Sequence, residues 1–146
     1  MDITKNKLFI QGAIQSDFIT TSITKHQAKT NIGAHQIFLG QVRADIIHDK
    51  HVIAIDYSAY EEMAIQKINE IRESTFQQFN ITCMHIYHSL GRVKAGEICL
   101  FVFVSAPRRK ATYEALEYIV EAIKHEVPIF GKEILEDHTY IWKKNK

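Results

Sequence analysis

The sequence predicts an α+β fold with a mostly antiparallel sheet and three main helices. Three observations carry that expectation. Short runs rich in β-branched and aromatic residues recur between polar turns. Two long segments, Glu61 to Phe79 and Pro107 to Lys124, repeat their apolar residues at helical spacing. Ile98 to Val104 is continuously apolar, as expected of a strand buried on both faces.

Taken in order, Leu8-Phe-Ile10 reads as a first short strand. Asp17 is placed to cap a helix running to about Lys29, with Ile19, Ile23 and His26 on its inner side. Gly33 to Val42 is strand-like, and His48-Asp-Lys-His51 is a polar turn. Val52 to Tyr60 alternates, with Ile53, Ile55 and Tyr57 on one face. In the second helix Met63, Ile65, Ile68, Ile71 and Phe76 form the apolar stripe. Ile81 to His88 is a strand closed by Leu90-Gly91, and Ile98 to Val104 is the central strand. In the last helix Tyr113, Leu116, Val120 and Ile123 share a face. Val127 to Leu135 and Tyr140 to Trp142 then pair across Glu136-Asp-His138. With no repeat and no linker, residues 1–146 are expected to form a single domain.

Composition narrows the function. A chain of 146 residues buries roughly 70% of its unfolded surface, so it needs no disulfide or metal to fold. The net charge of +1 argues against a nucleic-acid binder acting through bulk charge. Met1 to Lys7 lacks the apolar core of a signal peptide, and Ile98 to Val104 is far short of the roughly 20 residues that span a bilayer. A cytoplasmic protein is expected. Cys83 and Cys99 lie in separate strand-like runs, as buried reduced thiols would.

The residues with chemical promise cluster near the end of the chain. At about 100° per residue, Lys124 falls near the azimuth of Tyr113 and within about 40° of Val120. Its stem should lie along the apolar face and deliver an amine at the helix C-terminus. Pro128 stops the helix, and Lys132 follows on a strand. Lys124 fits either a snorkelling lysine that complements the helix dipole or a functional amine poised by burial and neighbouring cations. Arg108-Arg109-Lys110 opens the same helix against its dipole, a conflict expected where an anion binds or where charge is simply solvated. Arg43 ends a strand ahead of Asp45, with which it can form a salt bridge. His85 and His88 point to opposite faces of a strand and suit a shared metal poorly. His48 and His51 straddle a turn and are expected in solvent. No motif of a familiar metal or nucleotide enzyme is present.

Five motifs in order carry a resemblance: Phe38-x-Gly40-x-Val42-Arg43; Tyr57-x-x-Tyr60-x-x-Met63-Ala64; His88-x-x-Gly91; Ser105-x-Pro107-x-Arg109-Lys110; and Lys124-x-x-Val127-Pro128-Ile129-x-x-Lys132-Glu133. Across roughly residues 33–142 the chain resembles the large, catalytic subunit of molybdopterin synthase, the MoaE family. The resemblance implies an α/β-hammerhead-type fold and a homodimer at the centre of a heterotetramer. A small ubiquitin-like sulfur carrier docks at each end and inserts a thiocarboxylated Gly-Gly tail. The implied activity is sulfur transfer: cyclic pyranopterin monophosphate receives two sulfurs and becomes the molybdopterin dithiolene. No cofactor, metal, nucleic acid or membrane is implied.

By the same resemblance, Lys124 is the essential lysine beside the carrier's C-terminus, and Lys132 is a second catalytic amine. Arg43 and Arg109 line the pterin-phosphate pocket, with Gln41, Val42, Arg108, Gly131, Lys132 and Glu133 alongside them. The chain departs from the family in three places. Arg108 replaces the usual histidine and cannot release a proton near neutrality. Gly131 replaces the first lysine of the usual Trp-Lys-Lys-Glu, and Ser58 replaces a strand glutamate. Lys143, Lys144 and Lys146 end the chain, within reach of a partner protomer's site in such an assembly. A non-catalytic module that binds an anionic metabolite in the same basic pocket is the alternative.

Overall fold

The computed structural model describes residues 8–144, so the expectations placed on Met1 to Lys7 and on Lys146 lie outside it. The elements are β1 (Phe9–Gln11), α1 (Ser16–His26), β2 (Ala34–Gln41), β3 (Ile46–Ile47), β4 (Lys50–Ala59), α2 (Glu61–Gln78), β5 (Cys83–Lys94), β6 (Ile98–Ala106), α3 (Arg109–Glu126), β7 (Ile129–Leu135) and β8 (Tyr140–Trp142). The sheet runs β2-β6-β5-β4-β7-β8, with β3 on β4 and β1 on β5. Only the β1–β5 pairing is parallel among the described strands. The α+β class, the three helices and the mostly antiparallel sheet are as expected.

Period-two alternation sorts the β5–β6 half of the sheet into two faces. Met84, Ile86, Leu100, Val102 and Val104 pack with α2 and α3 in the larger core. Phe101 and Phe103 turn the other way, where Ile19 and Ile23 of α1 and Tyr87 cover them. β6 is therefore apolar from Ile98 to Val104 because both of its faces are buried.

Three expectations are corrected. β5 does not close at Leu90-Gly91. Gly91 takes φ +81, a left-handed conformation that favours glycine, and the strand continues to Lys94. Its first half pairs with β6 and its second half with β4, so one strand turns the corner between two parts of the sheet. The alternation expected of β4 breaks between Val52 and Ala54, where the register shifts and buries Ala54 beside Ile55. In both long helices the expected face holds at Ile65, Ile68 and Ile71 and at Val120 and Ile123, but not at the ends of the stripes. Met63 is 58% exposed and Tyr113 is 54% exposed, because the close contacts are made by Ala64, Ile65, Ile68, Ile71 and Thr75 in α2, and by Thr112, Ala115, Ile119 and Ile123 in α3. Small residues let the helices approach closely and push the aromatic side chains to the rim.

The turns follow their chemistry. His48 and Asp49 both have positive φ and join β3 to β4 in a two-residue hairpin whose twist matches the strands. Asp17 sits inside the first turn of α1 rather than at its cap, which is Gln15, and that helix ends at His26 rather than Lys29. α3 begins at Arg109, with Arg108 at its cap in extended backbone.

Candidate active site

Lys124 lies in the last turn of α3, where Val127 and Pro128 turn the chain into β7. Two cavities meet at its side chain. One, of about 420 Å³, is lined by Tyr57, His88, Pro128, Phe130, Gly131 and Trp142. The other, of about 240 Å³, is lined by Gly40, Gln41, Val42, Arg43, Cys99 and Glu133. Tyr57, Lys124 and Lys143 line both. The two motifs that the sequence separates by some eighty positions, ending at Arg43 and beginning at Lys124, thus share a wall.

Burial pulls the Lys124 ammonium below its usual pKa of 10.5, and the charge of Lys143 adds to the shift against the opposing influence of Cys99 and Glu121. Burial also holds His88 down to about 4, with Lys124 contributing in the same direction. His88 is therefore neutral, and its Nδ1–H donates to the Ser89 carbonyl at 2.8 Å. The Tyr57 hydroxyl donates to Cys99 Sγ at 3.3 Å, and Cys99 Sγ lies 3.4 Å from the Gly40 carbonyl. Burial first, and then Cys99, push the Tyr57 pKa well up, so the phenol keeps its proton. Tyr57 also packs edge-on against His88 at 5.0 Å. Lys124 therefore works beside two neutral rings and a thiol, where its charge is weakly screened.

Most of the expected residues converge here, but not all. Gly131 lines the first cavity, and Gln41, Val42, Arg43 and Glu133 line the second. Val42 contributes through its position, since it is buried and its backbone is committed to Glu97 and Gly96. Arg43 is exposed and pairs with Asp45 at 3.2 Å. Such a surface pair contributes little, so the guanidinium is readily recruited by an anion. Glu133 is 8% exposed.

Lys132 lines neither cavity. It faces away from Gly131 and Glu133 across the pleat of β7, with its ammonium 4.3 Å from the Tyr140 ring centroid and 5.2 Å from that of Trp142. Arg108 and Arg109 lie at the far end of α3, about 22 Å from Lys124 along the axis by helical rise, and line neither cavity.

Lys143 is the residue that no motif singled out for this pocket. Its backbone N–H donates to the Gly131 carbonyl at 2.7 Å. A Cβ added at Gly131 would come within 3.0 Å of Ile55 Cγ2, 3.3 Å of Tyr57 Cε1 and 3.6 Å of Lys143 Cβ. The missing side chain at 131 is thus matched by a lysine entering from the neighbouring chain segment. The apolar rim is also visible only in three dimensions. Tyr60 and Phe130 stand edge-to-face at 5.1 Å, both exposed, with Met63 one turn along α2.

Residues 13–126 match the protein family described as MoaE protein. The molybdopterin synthase catalytic subunit of Bacillus subtilis is 39% identical over 118 residues, spanning 81% of this chain and 74% of that protein. The crystal structure of molybdopterin synthase from Staphylococcus aureus superposes with a TM-score of 0.80 at 29% identity, covering 94% of this chain and 96% of that one. A complex of subunits 1 and 2 of the molybdopterin-converting factor from Helicobacter pylori aligns at TM-score 0.80 and 22% identity, covering 95% of this chain and 90% of that chain, a likeness of fold. By motif order, by fold and by these matches, the chain belongs to the MoaE family.

Proposed function

We propose that this chain catalyses sulfur transfer as the large subunit of a molybdopterin synthase, receiving sulfur from the thiocarboxylated tail of a small carrier protein. The observation that carries the reading is the meeting of two cavities at Lys124. One cavity opens beside the exposed aromatic rim and suits a slender peptide tail brought in by a docked protein. The other carries Arg43 at its mouth and suits the phosphate of a pterin substrate. At the shared wall the carrier's sulfur and the pterin carbon come together.

Each transfer breaks the carrier's C–S bond and makes a C–S bond on the pterin. The acyl carbon takes an oxygen from water and leaves as a carboxylate. Negative charge builds on the acyl oxygen as this happens, and Lys124 supplies the cation that stabilises it. Neutral His88 and the protonated Tyr57 phenol add no charge of their own beside it. The transfer runs twice to complete a dithiolene.

The second amine in this reading is Lys143 rather than Lys132. Lys143 touches both cavities, whereas Lys132 is held over Tyr140 and Trp142 on the other face. Arg108 and Arg109, a helix length away, serve the site of a second copy in a homodimer and contribute cations for the pterin phosphate across that interface. The buried free thiols Cys83 and Cys99 suit the reducing cytoplasm.

Loss of the carrier's thiocarboxylate, followed by mass, tests the reaction directly. It should require the pterin substrate and this chain together. Sulfur loss at the same rate without the chain would sink the proposal.

Two substitutions test the residue roles. Arg43→Ala should raise the pterin KM about tenfold, the usual effect of losing one charged hydrogen-bonding partner, while carrier affinity is retained. Equal loss of both would make Arg43 a structural residue. Lys143→Ala should lower turnover and move the alkaline limb of the pH–rate profile upward, because removing a like charge raises the pKa of Lys124. Gly131→Lys in that background should restore part of the rate. An unmoved limb together with an unchanged rate would exclude Lys143 from the site.

A further inference from the structure

On the opposite side of the sheet from Lys124, the last turn of α1 meets the start of β5. Cys83 and His85 are two apart on β5, so both face α1, and His26 meets them from that helix. The donor atoms of His26, Cys83 and His85 all lie within 4.8 Å of one another. Two imidazole nitrogens and a sulfur are the donor types that bind zinc-class cations, and three protein ligands leave a fourth position for water. A cavity of about 550 Å³ opens on both imidazoles and gives an ion and its water a route in.

The surroundings orient the donors. His26 Nδ1 lies 2.7 Å from the Ser22 carbonyl, which only an Nδ1–H can satisfy, so the Nε2 lone pair is turned to the cluster. That lone pair meets His85 Nε2 at 2.8 Å, a contact that needs one proton between the two nitrogens. The sulfur already holds a cation, since the Lys29 ammonium donates to Cys83 Sγ at 3.0 Å. Phe103 packs against His26 at 4.7 Å and fixes the ring.

We propose that His26, Cys83 and His85 form a binding site for a zinc-class divalent cation, which displaces the Lys29 ammonium from Cys83. Coordination takes Cys83 as the thiolate and moves the proton held between the two imidazoles to the other ring nitrogen of His85, so one proton leaves as one ion enters. Arg72 and Lys25 line the same cavity and repel a cation. The ion is held because the thiolate and the two nitrogens bind it by direct coordination. Nothing in this site touches the wall where sulfur is transferred, so its occupancy is independent of the reaction proposed above.

Cobalt(II) titration of the full chain tests the site, with zinc competition to follow. About one cobalt per chain should bind, with the visible absorption of tetrahedral cobalt and a thiolate charge-transfer band in the near ultraviolet. Cys83→Ser should abolish the charge-transfer band. His26→Gln and His85→Gln should each weaken binding by at least about tenfold, whereas His51→Gln, at an exposed strand position, should not change it. Lys29→Met keeps all three ligands and should raise the affinity several-fold. No charge-transfer band in the wild-type chain, or one that survives in Cys83→Ser, would overturn the site. An affinity that Lys29→Met leaves unchanged or lowers would overturn the displacement.

Discussion

Replacing Lys124 with alanine is expected to lower kcat by about 10²–10³-fold, the usual consequence of removing one charge-stabilising donor from a water-poor site, while the fold and carrier docking survive. Among the described helix residues Lys124 alone touches both cavities, so no neighbour on α3 can take its place. Its depressed pKa also shows that the folded protein disfavours this cation relative to the unfolded chain. Removing it therefore relieves an electrostatic cost, and the thermal midpoint should hold or rise. Lys124→Met preserves the stem that packs along the helix and should be as inactive as the alanine variant. Near-full activity in either variant would remove Lys124 from the mechanism. Inactivity accompanied by loss of the folded state would make it structural.

Acid should destabilise the fold through His88. Its folded pKa of about 4 lies below the ordinary 6.5, so between those values the unfolded chain binds more protons than the native one. The stability associated with a neutral His88 is complete above 6.5 and is lost as pH falls towards 4. The shift corresponds to roughly 3 kcal/mol at 1.36 kcal/mol per unit. Asp56 and Asp137 are held below their ordinary 3.8 by Arg92 and Lys50 respectively, so their contributions are lost only in stronger acid. His35, also lowered by burial, adds to the loss below 6.5. Urea unfolding at about pH 7 and about pH 4.5 should show the loss in the wild type. It should be reduced in His88→Asn, which keeps a donor for the Ser89 carbonyl. An undiminished loss in that variant would place the acid-sensitive group elsewhere.

Much of the site was legible because it lies on regular elements with strong periodicity. Lys124 follows from the azimuth of an apolar helix, and Arg43 from the end of a strand. Its pairing with Asp45, one of the two readings open to it, is present, and its place on the cavity rim is compatible with that pairing. What stayed hidden depends on register and on long-range contact. The face of Lys132 is set by its pairing with Asp56 and Trp142, and a strand residue's face reverses with each step along the chain. Lys143 reaches Gly131 through a β7–β8 pairing whose alignment no local pattern fixes. The exposure of Met63 and Tyr113 follows from which small residues the two helices use for close packing. The Cys83-x-His85 spacing was a usable signal for a shared face. His88, three residues beyond His85, points the other way and lies in the Lys124 cavity.

Product formation tests the central claim most directly. The purified chain would be mixed with cyclic pyranopterin monophosphate and a thiocarboxylated carrier, and molybdopterin read as its fluorescent oxidised derivative. Product is expected only when all three are present, and none with Lys124→Ala. No product from the folded wild-type chain, with a carrier that another synthase can use, would contradict it and favour a module that binds an anionic metabolite without turning it over.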